Sequence, residues 1–140
     1  MTIRKSTWMA LATAGIAALL MQGCATPTQA PEDVVGQRAT QRWKLLVDGK
    51  LDQAYDYLAP STRAILSLDS YKAELSGPVK WVAGDVVSVK CQADKCDARI
   101  RLEASAILGP RLGAKMPNIV TYFDEPWLKE EGQWWFFQKL

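Results

Sequence analysis

The 140-residue chain contains no histidine. The commonest general acid–base and the commonest protein metal ligand are therefore both absent. A serine or cysteine nucleophile would need some other base. Cysteine is scarce too, with three in the whole chain, too few beside a lack of histidine for a structural zinc site. A glycine-rich phosphate loop, paired metal-binding carboxylates and a calcium loop are also missing. No cofactor and no metal are expected. A basic block is lacking as well, since 17 Lys and Arg face 15 Asp and Glu, and this balance argues against a nucleic-acid partner. Long apolar runs are confined to the N-terminus, which excludes a polytopic membrane protein. The remaining composition, 49% hydrophobic and 23% charged, is that of an ordinary globular chain.

The N-terminal run has the three parts of a secretory signal. Arg4 and Lys5 supply the positive start, Thr7 to Met21 the apolar stretch, and Gly23 a small residue at the cut. The apolar stretch is shorter than the roughly 20 residues that span a bilayer, so cleavage is the expectation. Leu20-Met21-Gln22-Gly23-Cys24 resembles the lipobox of bacterial lipoproteins, although Met21 and Gln22 depart from its usual residues. That resemblance implies a diacylglycerol on Cys24, removal of residues 1–23 and attachment to a membrane. Ala25 after the modified cysteine is similar to lipoproteins that travel to the outer membrane, facing the periplasm.

Cysteine arithmetic agrees with a lipid on Cys24. Oxidising compartments leave few thiols unpaired, and assigning Cys24 to the lipid leaves Cys91 and Cys96 to form a disulfide. Residues 24–32, rich in proline and polar side chains, read as an extended tether. Residues 33–140 then make one domain.

The first half of that domain has helical periodicity. Val35, Ala39, Trp43 and Leu46 share one face, and Asp48-Gly49 stops the helix. Leu51, Ala54, Tyr55 and Leu58 mark a second, short helix that Pro60 interrupts. Pro60 can open another turn over Ser61 to Leu66. Ser67 or Asp69 caps a last helix through Tyr71 and Leu75, ended by Gly77-Pro78.

The second half changes period. Val87, Val89 and Cys91 alternate with Val86, Ser88 and Lys90. After Gln92-Ala93-Asp94-Lys95, Cys96, Ala98, Ile100 and Leu102 alternate with charged residues. The expected register pairs Cys91 with Cys96, Lys90 with Asp97, Val89 with Ala98, Ser88 with Arg99 and Val87 with Ile100. Val79 to Ala83 begins the sheet, with Gly84 as a bulge or bend. Gly109 to Pro117 is a loop, and Ile119 to Leu128 and Gln133 to Leu140 are two further strands joined through Lys129-Glu130-Glu131-Gly132. The fold class is thus α+β: helices packed on a curved antiparallel sheet of four to five strands.

This order, with Tyr55-Asp56-Tyr57-Leu58-Ala59-Pro60-Ser61-Thr62-Arg63, Tyr71 and Gly132-Gln133-Trp134-Trp135, resembles the nuclear transport factor two-like superfamily. The resemblance implies a cone of helices and sheet that can enclose a pocket. It also implies a choice among isomerases, cyclases, dehydratases and non-catalytic accessory domains, which fold cannot make.

The terminal strand sets Trp134 and Phe136 on one face and Trp135 and Phe137 on the other, so both faces need cover. Trp43, Tyr55, Tyr57, Arg63, Trp81, Trp127, Trp135 and Phe137 are the candidate ligand or partner surface, although core packing is the ordinary fate of each aromatic taken singly. Arg63 is expected to satisfy helix carbonyls or pair with Asp69, with anion binding only a remote alternative. The resulting expectation is a membrane-anchored, non-catalytic binding or accessory domain. Its partner would be a small apolar ligand, an envelope protein or a second copy of the chain. Two alternatives stand beside it: a small enzyme using Asp56 or Asp85 with Tyr55 or Tyr57, and a structural envelope subunit.

Overall fold

The computed structural model describes residues 29–106 and 117–139. The leader, Cys24 and most of the Gly109 to Pro117 loop lie outside the described residues. Helix α1 spans Pro31–Val47. It begins two residues before the expected domain start at residue 33, so that Pro31 and Glu32 belong to the helix and not to the expected tether, because Pro31 sits at the N-terminal position where a missing N–H costs nothing. Glu32 and Asp33 in its first turn suit the helix dipole. Its buried stripe is Val35, Ala39, Trp43 and Leu46, joined by Arg42. Gly49 follows the C-cap residue with φ 73°, a left-handed conformation that ends the helix.

Three short helices follow: α2 Leu51–Tyr55, α3 Pro60–Arg63 and α4 Leu68–Leu75. Ser67, rather than Asp69, caps α4 by accepting a hydrogen bond from the Ser70 N–H at 3.2 Å. Among the described residues no helix is long and apolar enough to cross a membrane.

Four strands, β1 Val79–Gln92, β2 Lys95–Ala106, β3 Ile119–Glu130 and β4 Gln133–Phe136, form one antiparallel sheet in sequence order. The sheet curls into a half-barrel. The chain is therefore α+β, with α1 packed chiefly on β1. The β1–β2 hairpin pairs Cys91 with Cys96, Lys90 with Asp97, Val89 with Ala98 and Ser88 with Arg99. Beyond Ser88 the register differs from the simple alternation. Val86, not Val87, stands opposite Ile100, and register shifts fall between Trp81 and Ala83 and between Val86 and Ser88. Val82 and Val87 are the extra residues, and both are exposed. These bulges bend the strand.

Gly84 is not the bulge; it pairs with Leu102 inside the ladder. Its lack of a side chain serves packing instead. A Cβ built there would lie 2.5 Å from Trp43 Cε3, so α1 can lay an indole directly on the strand.

Strand β4 is shorter than its aromatic run suggested, ending at Phe136. Its turn, Glu131-Gly132, has φ of 52° and 78°, the positive pair that matches the twist of a two-residue hairpin. The outer edge of β4 is closed by the segment after α2. The Phe136 N–H donates to the Tyr57 carbonyl at 2.8 Å, and the Ala59 N–H donates to the Phe136 carbonyl at 2.9 Å. The edge backbone groups of Phe136 are thus satisfied rather than offered to another chain.

Candidate functional site

The eight residues singled out from the sequence do not form one surface. Trp43 and Trp127 are core residues, 4% and 0% exposed. Trp43 meets Trp81 and Phe123 edge-on, each at 5.8 Å between ring centres, and Trp127 lies 6.2 Å from Phe136. Trp81 is half-buried on the rim of an open groove with Leu46, Leu51, Leu75 and Val79. Tyr55 packs on Tyr71 at 5.5 Å and donates its hydroxyl to the Leu66 carbonyl at 2.7 Å. Phe137 lines a small cleft of about 210 Å³ with Ser61, Thr62 and Ile65. Cys91 and Cys96 are joined, with Cα atoms 4.0 Å apart.

Tyr57, Arg63 and Trp135 do come together, around a residue the periodicity left aside. Arg38 lies on α1 beside the buried stripe, and its guanidinium stands 4.9 Å from the Trp135 ring centre and 5.0 Å from that of Tyr57. Arg63, at the end of α3, stands 5.5 Å from the same Trp135 ring. Trp135 is held in place by its indole N–H, which donates to the Glu130 carbonyl at 3.1 Å. The Tyr57 hydroxyl is 3.0 Å from Gln41 Oε1. Aromatic faces attract cations, so two guanidinium groups are drawn to one indole and held near each other.

These two arginines differ from the other described ones. Arg42 pairs with Glu125, Arg99 with Asp124, and Arg101 with Asp85 and Glu103. Neither Arg38 nor Arg63 has an ion pair among the described residues; the Nε of each is buried without a hydrogen-bond partner, as is that of Arg42. Arg63 therefore takes neither partner that the sequence offered it, Asp69 or the helix carbonyls. Burial holds the Arg38 pKa below its ordinary value, an effect that Tyr57 partly offsets. The nearby Glu130 carboxylate is occupied by Ser61, through the hydroxyl at 2.6 Å and the N–H at 3.2 Å. Two guanidinium groups without an ion pair among the described residues thus lie against one indole.

A second polar constellation is sealed in the core. Arg42 Nη1 lies 2.6 Å from Glu125 Oε1, both side chains 4% exposed, and the guanidinium sits 3.7 Å from the centre of the Phe136 ring. Tyr71, fully buried nearby, has a hydroxyl without a partner. Burial pushes its pKa up, and Arg42 partly opposes this. Being closed to solvent, the group is structural in character. Its sequence signal was present: Glu125 falls on the inward parity of Phe123 and Trp127, and Arg42 neighbours Trp43 on the buried stripe.

The arrangement gives no support to the Asp and Tyr chemistry. Asp56 is exposed at the end of α2, and Asp85 pairs with Arg101 at 3.3 Å. The Tyr55 and Tyr57 hydroxyls are engaged elsewhere, as described. An open depression of about 600 Å³ lies on the sheet, lined by residues of β1, β2 and β3. Its carboxylates, Asp97 and Asp124, are paired with Lys95 and Arg99. Among the described residues no group of three Cys, Asp or Glu gathers to hold a metal ion.

No protein-family model matches the chain, and no curated protein matches it. Solved structures do resemble it. A SEC-C motif containing protein from Psychrobacter arcticus has a TM-score of 0.56 at 16% identity, over 94% of this chain and 75% of that one. Another SEC-C motif containing protein, from Rhodopseudomonas palustris, has a TM-score of 0.53 at 13% identity, over 69% and 70%. At such identity the likeness concerns fold alone. It corrects the nuclear transport factor two-like expectation, because the structural neighbours belong to a different fold family. The reason is that helices followed by an antiparallel meander are a generic order. The quoted motifs prove local: Tyr57 to Arg63 closes the β4 edge and forms α3, and Gly132 to Trp135 is a hairpin turn and its strand.

Proposed function

We propose that this chain is a membrane-anchored, periplasm-facing binding or accessory domain without catalysis of its own, held at the outer membrane by a lipid on Cys24. The observation that carries the binding role is the Trp135 surface. Tyr57, Arg63 and Trp135 meet there with Arg38, whereas Arg42, Arg99 and Arg101 each pair with a carboxylate. Aromatic and arginine residues in this combination are typical anchors of an interface. The curled sheet and α1 would form the wall of a cone, with the Trp135 surface at its β4 edge. The anchor rests on the Gly23-Cys24 junction, the apolar leader and the odd cysteine count.

Both parts are tested in the native envelope. Cys24→Ser should release the protein to the soluble fraction and remove an acyl mass from its N-terminus. Retention of the variant in the membrane, with no acyl mass on the wild type, would overturn the anchor. Photo-cross-linking from position 57 should give one defined adduct, which Trp135→Ala weakens by about 2 kcal/mol or more of association energy while thermal stability changes little. A Trp135→Ala protein that unfolds, beside a wild type with no defined adduct, would leave only a structural subunit.

A further inference from the structure

We infer that the open depression of about 600 Å³ on the sheet binds a saccharide, with the Tyr122 ring beside it as a platform. The site is separate from the Trp135 surface, since neither Trp135 nor Tyr57, Arg38 or Arg63 lines it. Ser88, Lys90 and Gln92 of β1 stand opposite Arg99, Asp97 and Lys95 of β2, and Arg99 stands opposite Asp124 of β3. Cross-strand partners and alternate residues share one side of a sheet, so all these side chains occupy a single face. Val89, Cys96 and Ala98, which fall between them, turn to the core. The volume lies within the range of about 300–1,000 Å³ that ligand sites occupy.

The chemistry of the lining selects the ligand. Every side chain that lines the depression is polar, so an acyl chain would find no apolar wall. Lys90, Lys95 and Arg99 against Asp97 and Asp124 leave a net charge of 3 − 2 = +1. Four of these charges are already matched, Asp97 with Lys95 at 3.4 Å and Asp124 with Arg99 at 3.2 Å. A charged ligand of either sign would meet a like charge in each pair. A neutral ligand rich in hydroxyl groups meets none. Each pair is joined through Oδ2 alone, so both Oδ1 atoms and the rest of the Arg99 fork keep hydrogen-bonding capacity. The Ser88 hydroxyl, the Lys90 ammonium and the Gln92 amide, none of them hydrogen-bonded among the described residues, add further donors and acceptors. Sugar hydroxyls both donate and accept, and this mixed set satisfies them without breaking either ion pair. Tyr122 is 51% exposed, two residues before Asp124 on the same face, with its ring centre 5.9 Å from the Arg99 guanidinium. Its ring offers an apolar face to the C–H groups of a pyranose.

The isotope-labelled full-length protein is titrated with cellobiose, maltose and N,N′-diacetylchitobiose while its backbone amide signals are followed by NMR. At least one disaccharide should shift Ser88–Gln92, Lys95–Arg99 and Tyr122–Asp124 together along one saturable curve. Tyr122→Ala should weaken that binding about tenfold. Asp124→Ala should weaken it as much, and Asp124→Asn should restore most of the loss, because an amide keeps an acceptor oxygen and gives up only the charge. Affinity should change little between low and high salt, since no net charge is exchanged. Unmoved signals of the buried Ile100 and Trp127 in each variant report that the fold persists. Absence of saturation with all three sugars overturns the inference. So does binding that Tyr122→Ala leaves intact, and so does binding lost both in Asp124→Asn and at high salt, which would mark a charge site. The titration involves neither the anchor nor Trp135, so its failure leaves the fractionation and cross-linking results standing, and their failure leaves the saccharide result standing.

Discussion

The indole of Trp43 rests on the backbone of Gly84, so close that a Cβ on the glycine would lie 2.5 and 2.7 Å from two ring carbons. The atoms met are those of a buried aromatic ring, which cannot swing aside as the end of a flexible side chain can. Gly84→Ala should therefore cost about 1–3 kcal/mol through overpacking, read from denaturant unfolding. The loss should shrink when Trp43→Leu makes room, since contacting residues are not additive. Equal losses in the two backgrounds would show that α1 does not sit where the structure puts it.

Arg42 and Glu125 form a pair that only removal of both partners can spare. Arg42→Met leaves a buried carboxylate without its cation and should destabilise by about 3–5 kcal/mol, whereas the double variant Arg42→Met, Glu125→Leu should cost much less. Unfolding of the two singles and the double gives the coupling directly. Simple additivity would contradict a shared buried contact.

Tyr71 links stability to alkaline pH. Its folded pKa is raised above the ordinary 10.0 by burial, so the folded state keeps the phenolic proton where the unfolded state has released it. The contribution is complete below about pH 10 and is lost as pH rises through the folded value. Tyr71→Phe should flatten that alkaline decline and cost little at pH 7, because the hydroxyl it removes has no partner. A steep alkaline loss unchanged in the variant would place the titrating group elsewhere.

Ala93 occupies a left-handed conformation, φ 50°, in the two-residue turn between β1 and β2. That conformation strains any residue with a Cβ. Ala93→Gly should raise stability by about 0.5–1 kcal/mol, the relief of strain exceeding the added freedom of the unfolded chain. Thermal unfolding at neutral pH measures it, and a lower midpoint would count against the turn geometry.

Much of this fold was legible because it is written in local rules. The apolar spacing of Val35, Ala39, Trp43 and Leu46 produces a helix, Gly77-Pro78 marks the change of period, and the alternation on either side of Ala93-Asp94 brings Cys91 opposite Cys96. Each follows from backbone geometry within a few residues. The bulges at Val82 and Val87 were not legible, since an extra residue in a valine-rich strand leaves its composition unchanged and only the partner strand reveals it. The inward parity of Glu125 was legible beside Phe123 and Trp127, but that Arg42 would arrive from α1 to pair with it was not. The Trp135 surface needed most: Arg38 from α1, Arg63 from α3 and an indole from β4 are distant in sequence and meet only when the sheet curls. Sequence alone determined which segments could be helix or strand, because propensity and periodicity act along the chain. Which charges pair, and which two arginines are left facing one ring, only the tertiary structure decided, because Coulombic and packing energies depend on distance through space.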